Sequence, residues 1–458
     1  MKSANKKSHL LHVLVSLTMG ASLVQASGYE KGILWGGKYS GVAGVGSPGV
    51  KGSDSLFYNP AGLVKSSEFG EFVFNLSQSS SQAKGPIVPN TSLLVAGTPP
   101  SAAVFTHAEN QASADSSSVL IPGITYSMKL SDNFSFGLGY YAVGGTRAVY
   151  ENIDMAPRSF QAKVGSEISI TEFAAGLGYK VSDSFRLGAS VRYTMTTAEF
   201  SSLSYVPSAS GPTGAIANIE LKDIKSNQLD SLRLGAQYDL NEMFKLGLMI
   251  RTETKLKAKG KASGSLNTLV NTSGSTYVER TLPVSEVDAD VETYLPMAIG
   301  LGTEITFSEA WKMYAEYVFT QYSRIDKVVV DGNITLGTTT TEISDIEQKW
   351  KDQHQVKLAG EYSGISWPIR FGYIWTSQVS NADYARASFT PPGAAATYTL
   401  GTGQEFKAGD QPLELNLALD YTTVSGNSSD TPASATTSPK GKYEISALGI
   451  HTGVSYRF

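Results

Sequence analysis

The chain has 458 residues, a formal net charge of −4, 17% charged residues and no cysteine. Without cysteine there is no disulfide or thiol chemistry, and the near-neutral charge offers no electrostatic footprint for nucleic acid. No apolar run of spanning length follows residue 26, which excludes a helical membrane protein, whereas a mean hydropathy of −0.11 leaves room for strands that expose only alternate residues to lipid.

The first 26 residues read as a secretory signal peptide. Lys2, Lys6 and Lys7 give a basic start, Leu10 to Val24 is mostly apolar, and Val24-Gln25-Ala26 ends on small residues. The run is short for a spanning helix and is interrupted by Ser16, Thr18 and Ser22, so cleavage after Ala26 is the expectation. Residues 27–66 then begin with a segment punctuated by Gly32, Gly36, Gly37, Gly41, Gly44, Gly46 and Gly49. So many glycines argue against regular structure of its own. Two readings stay open for it: a plug folded into a barrel lumen, or a periplasmic tail.

From residue 67 to 458 the dominant pattern is alternation with a period of two, the signature of strands with one apolar face. Phe134, Phe136, Leu138 and Tyr140 alternate with Ser135, Gly137 and Gly139. Phe185 to Tyr193 alternates with Arg186, Gly188, Ser190 and Arg192. Leu232, Leu234, Ala236 and Tyr238 oppose Arg233, Gly235 and Gln237. Phe244, Leu246, Leu248 and Ile250 oppose Lys245, Gly247 and Arg251, and Leu413 to Tyr421 opposes Glu414, Asn416 and Asp420. Strand centres fall near 73, 124, 138, 174, 190, 234, 248, 299, 316, 356, 372, 402, 417 and 450. Short turns at 131–133, 182–184, 241–242, 308–310 and 363–366 alternate with long polar segments near 80–117, 146–166, 201–227, 257–291, 325–349, 380–395 and 425–441. Fourteen strands, with short turns at one end and long loops at the other, predict an all-β transmembrane antiparallel barrel. A soluble all-β protein is the alternative, but the second face is too small and glycine-rich for a solvent face. The last strand ends on Phe458 without a tail. That resembles the closing strand of bacterial outer-membrane barrels, in which a terminal aromatic helps the barrel-assembly machinery recognise the chain.

Phe57-Tyr58-Asn59-Pro60-Ala61-Gly62 stands after the glycine-rich start and just before the first strand. With Gly41 to Ala61 around it, this segment resembles the hatch of the FadL/TodX (OMPP1) family of outer-membrane transporters. Tyr294 to Gly302, Trp350-Lys351-Asp352, Trp367 to Tyr373, the Pro391-Pro392 loop and Leu413 to Tyr421 follow in the order the resemblance requires. The resemblance implies a monomeric barrel of about fourteen strands in the bacterial outer membrane, its lumen plugged by an N-terminal hatch. Its implied partners are long-chain fatty acids or aromatic hydrocarbons, together with outer-membrane lipids and lipopolysaccharide. It implies no cofactor and no enzymatic activity. Ligand is caught by outer loops, passes the hatch and leaves sideways through a kink in the third strand.

Those implications nominate residues. Phe57, Asn59, Pro60, Ala61 and Gly62 are the hatch and gating candidates. Gly137 and Gly139 in the third strand, with Gly144 and Gly145 after it, are candidates for a lateral opening. Leu203, Tyr205, Val206, Ile216, Ile219, Leu221 and Ile224 make the 201–227 segment unusually apolar for an exposed loop, a candidate capture groove together with part of 257–291. Arg186, Arg192, Arg233, Lys245, Arg251 and Arg370 lie on the lumen face. Each is a candidate for a carboxylate head group, or for pairing with Glu316, Glu414 and Asp420. His107, His354 and His451 sit in no nucleophile motif, and no metal-ligand spacing appears. Two other readings remain: a surface adhesin or receptor that conducts nothing, and a water-filled porin.

Overall fold

The computed structural model describes residues 28, 36–87, 112–155, 158–206, 215–273, 276–336, 339–429 and 439–458. The expected signal peptide lies outside the described residues, as does His107. Among the described residues fourteen strands close a single antiparallel barrel. They are β1 (Glu71–Gly85), β2 (Ser117–Lys129), β3 (Phe134–Asp154), β4 (Gln161–Lys180), β5 (Phe185–Val206) and β6 (Ala215–Asp239). Then β7 runs in two stretches, Phe244–Arg251 and Thr254–Ser273, and β8 likewise, Thr276–Leu295 and Ala298–Thr306. The remainder are β9 (Trp311–Thr320), β10 (Gln353–Tyr362), β11 (Ile369–Thr376), β12 (Ala394–Ala408), β13 (Gln411–Asn427) and β14 (Lys442–Arg457). Closure is made by β1 on β14, in register from Glu71↔Arg457 to Lys84↔Glu444. Every expected strand centre falls within one of these strands.

The alternation has the cause the sequence suggested. Phe72, Phe74, Leu246, Leu248, Tyr317, Leu417 and Leu419 are exposed on the outside, while Ser77, Arg192, Gln237, Glu316 and Asp420 on the other face are buried in the lumen. Side-chain oxygens build the short turns: Ser131 Oγ accepts from Phe134 N at 3.2 Å and Ser182 Oγ from Phe185 N at 3.1 Å. Aromatic pairs gather at this end, with ring centroids 4.8 Å apart for Phe134–Tyr179 and for Trp311–Tyr362, and 5.0 Å for Tyr456–Phe458. They form one interfacial girdle. Phe458 N donates to Gly70 O at 2.9 Å, tying the chain's last residue to the start of β1.

Three expected loops are corrected. Most of 146–166, 201–227 and 257–291 is strand: β3 continues to Asp154, β5 and β6 pair from Tyr205↔Ile216 downward, and 254–295 forms one long hairpin arm. Beyond the membrane these strands face water, so their outward residues turn polar while the backbone ladder continues. Lys255, Lys257, Lys259 and Lys261 alternate with Leu256, Ala258 and Ala262, and Lys261 Nζ meets Asp288 across the arm at 2.6 Å. A search for apolar alternation misses such strands.

The core lies inside the barrel. Residues 36–65 fold into the lumen as α1 (Gly37–Gly41), a 3-10 turn Gly52–Asp54, α2 (Ser55–Tyr58) and a 3-10 turn Pro60–Lys65. Their Val42, Val50, Leu56, Phe57 and Leu63 pack in one cluster with Tyr141, Ile170, Leu221 and Tyr322 of the wall and its outer connections. Further out, Trp350 packs on Tyr322 with centroids 5.6 Å apart, and Asp352 Oδ1 accepts from Ser323 N at 2.9 Å. The Trp-x-Asp motif thus clamps the turn after β9.

Candidate functional site: hatch, outer cavity and wall break

Asn59 joins the hatch to the barrel. Its side-chain oxygen accepts from Ala61 N at 3.1 Å, capping the turn that Pro60 opens. Its Nδ2 donates to Ser47 O at 2.8 Å within the hatch and to Ala236 O and Leu248 O at 3.0 and 3.2 Å. Ala236 and Leu248 are partners across β6 and β7, so one amide spans two wall strands. The wall here is built without side chains. A Cβ on Gly188 would lie 2.2 Å from the carbonyl carbon of Pro60, and one on Gly235 would lie 1.8 Å from Asn59 Oδ1. Ala61 and Gly62 are fully enclosed in the same turn.

Beside this turn Phe57 meets a charged cluster. Its ring packs edge-on against Tyr141 at 5.3 Å and lies 5.8 Å from the Arg233 guanidinium. The Leu56 carbonyl accepts from Arg233 Nη1 at 2.6 Å and from the Tyr141 hydroxyl at 3.1 Å. Arg233 also reaches Glu172 at 3.5 Å, and Arg192 pairs with the other oxygen of Glu172. Two buried guanidinium groups thus share one carboxylate next to the hatch. Arg251, on neighbouring β7, donates to Pro296 O at 2.7 Å.

The other cations pair differently from expectation. Arg186 meets Asp239 at 2.5 Å, Lys245 meets Glu304 at 2.6 Å, and Arg370 meets Glu361 at 2.6 Å and Asn416 at 2.7 Å. The expected partners are engaged elsewhere: Glu316 with Lys357 at 2.9 Å, Glu414 with Lys38 and Arg457 at 2.7 Å each, and Asp420 with His451 at 2.7 Å. Register decides this. Lys245↔Glu304, Glu316↔Lys357 and Glu361↔Arg370 are direct cross-strand partners, and such neighbours are closest in space. His451 carries Ser77 on Nδ1 at 2.8 Å and Asp420 on Nε2, all buried, which links β1, β14 and β13.

At the outer end lies a cavity of about 380 Å³. Leu203, Ile219 and Leu221 line it together with Phe200, Ile334, Ile343, Ile346, Phe389 and Arg386. These three candidates therefore share a wall, but they stand on β5 and β6 rather than on a loop. Ile216 and Ile224 are buried in the packing around it, and the side chains of Tyr205 and Val206 lie outside the described residues. The wall contributed by Ile334, 341–346 and 386–389 went unrecognised in the sequence, because its apolar residues are scattered among Thr, Ser and Asp.

Among the described residues, the β2–β3 ladder is interrupted beside the hatch. β2 and β3 pair from Lys129↔Ser135 to Ile124↔Tyr140, and the ladder ends there. Beyond it, β3 carries a bulge between Ala142 and Gly144, and Gly145 has φ +155°. Burial is nearly continuous from Val143 to Tyr150 in place of alternation, so both faces of this part of β3 are covered. Contact with β3 resumes only before β2 begins, where Asp115 N donates to Val149 O at 2.9 Å. Gly144 and Gly145 stand at this break. Gly137 and Gly139 do not: they are paired on both sides, with Ser127 and Gly176 and with Thr125 and Ala174. Their missing side chains make room for Leu56 and Leu63 of the hatch.

Comparison with known proteins agrees with this architecture. Residues 21–458 match the family described as outer membrane protein transport protein (OMPP1/FadL/TodX). The chain is 24% identical over 494 residues to the outer membrane protein NMB0088 of Neisseria meningitidis serogroup B, covering 100% of this chain and 99% of that protein. In fold it is similar to a FadL homologue of Pseudomonas aeruginosa (TM-score 0.71, 16% identity, 94% of this chain and 100% of that one). It is also similar to the toluene transporter TodX of Pseudomonas putida (TM-score 0.68, 16% identity, 93% and 99%). A plugged fourteen-stranded barrel that this family pattern covers almost end to end is an outer-membrane protein of the FadL/TodX family of hydrophobic-compound transporters.

Proposed function

We propose that the protein carries long-chain fatty acids across the outer membrane, passively and without a cofactor, as a monomer. Ligand enters the outer cavity, where Phe200, Ile219 and Leu221 take the chain. Arg386 in the same wall supplies a cation for a carboxylate. It then passes Phe57 and the Arg233–Glu172–Arg192 cluster and leaves sideways between β2 and β3. The observation that carries this reading is the interrupted ladder, which stands level with the apolar outer belt: Pro122, just past its end, is the partner of Leu76 on β1. A greasy molecule released there returns to hydrocarbon, where each buried CH₂ contributes roughly 0.8 kcal/mol. The aqueous route would oppose it by the same amount. Movement of Asn59–Ala61 changes the fit of the interior site, since Asn59 holds the turn to both the hatch and the wall.

Aromatic hydrocarbons are the second reading, favoured by the apolar lining and by the fold shared with a toluene transporter. Native mass spectrometry of the protein, offered a mixed pool of fatty acids, alkanes and aromatics, separates the two. Fatty-acid adducts are expected. Retention of aromatics alone selects the second reading, and no adduct of any class contradicts both.

A further inference from the structure

Pro122 stands in the middle of β2, inside a barrel in which every strand is expected to pair on both sides. Proline lacks an N–H and within sheets is confined to edges and bulges. The direction in which its missing donor would point follows from the neighbouring hydrogen bonds. Lys129 N donates back to Ser67 O, on the β1 side, at 3.4 Å, whereas Leu130 N donates to Phe134 O, at the start of β3, at 2.8 Å. The ladders of β2 with β1 and with β3 contain no bulge. Even-numbered residues of β2 therefore direct their backbone groups to β3 throughout, and Pro122 is even. Its ring occupies the place of the donor that would add the next rung after Ile124↔Tyr140. That rung would face Ala142, the residue at which the β3 bulge begins.

We infer that Pro122 is the residue that holds the barrel wall open: it denies β3 a rung at Ala142, so that β3 is free to bulge there and leave the β2 ladder. It also removes one of the orphan donors that an opening would otherwise expose to hydrocarbon, where nothing can satisfy it. The open stretch of β2, residues 117–123, spans about 20 Å of strand, enough for an elongated molecule to pass lengthwise. This inference rests on lateral release only for its transport consequence. The effect on the wall stands by itself.

The test is amide hydrogen exchange on the full protein in lipid nanodiscs, with uptake of a labelled long-chain fatty acid measured in parallel. Pro122→Val restores the donor with a strand-favouring side chain, and Pro122→Ala does so with least change in packing. Exchange of residues 118–121, 123, 124 and 140–148 is expected to slow by about tenfold or more, the scale of one secured rung, while β9 to β11 stay unchanged. Ile124→Pro should do the opposite and extend fast exchange toward Tyr126 and Leu138. Slower exchange with lost uptake supports both the inference and lateral release. Slower exchange with unchanged uptake keeps Pro122 as the wedge and overturns lateral release. Unchanged exchange in both restoring variants overturns the inference, whatever uptake does.

Discussion

Asn59 concentrates the hatch's attachment in one side chain. Removing a buried hydrogen-bonding partner costs about 1–3 kcal/mol. Asn59→Ala should therefore speed amide exchange across residues 55–65 by roughly 5- to 150-fold while the wall strands keep their protection. Unaltered exchange would mean that packing alone seats the hatch. Gly188 tests the same seat from the other side. Gly188→Val places carbon where the Pro60 backbone now lies and should dislodge the hatch from an intact barrel. Planar-bilayer recordings should then show steady conductance that the unaltered protein lacks, and a silent variant would contradict the tight fit described here. The asparagine, proline and alanine of this turn were readable in the sequence because turn chemistry is local. Tyr141, Glu172 and the pairing of the lumen cations were not. A buried charge takes the partner that register brings beside it, and register is set by strands dozens of residues away.

At the scale of elements, the fourteen strands were legible because lipid enforces strict alternation, and their outer extensions were not because water does not. The paired stretches Thr254–Ser273 and Thr276–Leu295 show the consequence: their ladder runs on with two irregularities, their outward side chains are ordinary surface lysines and acids, and only a search for polar alternation would have found them. Pro122 carried an unread signal of its own, since a proline amid β-branched residues in a barrel strand marks a missing neighbour. The same extensions of β5 and β6 build the outer cavity, which makes the cavity accessible to mutation without touching the membrane belt. Ile219→Trp puts an indole into about 380 Å³ of space. It should reduce fatty-acid adducts in native mass spectra by about tenfold, a change of 1.4 kcal/mol in binding, with the barrel still folded. Undiminished adducts would move the capture site elsewhere.

At the scale of the whole molecule, a plugged lumen, an apolar cavity above it and an interrupted ladder beside it make up the route proposed for hydrophobic cargo. Each rival predicts a different flux. An adhesin moves nothing, and a porin passes hydrophilic solutes through its middle. The hatch fills the lumen between β5 and β6, where Gly188 and Gly235 admit Asn59 and Pro60, and β13 and β14, where Gly37 lies against the Asn416 and Gly453 backbone; this opposes the porin, and the interrupted β2–β3 ladder has no purpose in an adhesin. The measurement that decides among them is the rate at which cells making this protein, against cells lacking it, take up a labelled long-chain fatty acid and a hydrophilic tracer of similar mass. Faster entry of the fatty acid with no change for the tracer is the predicted result. Equal rates for both, or acceleration of the tracer, would contradict the account.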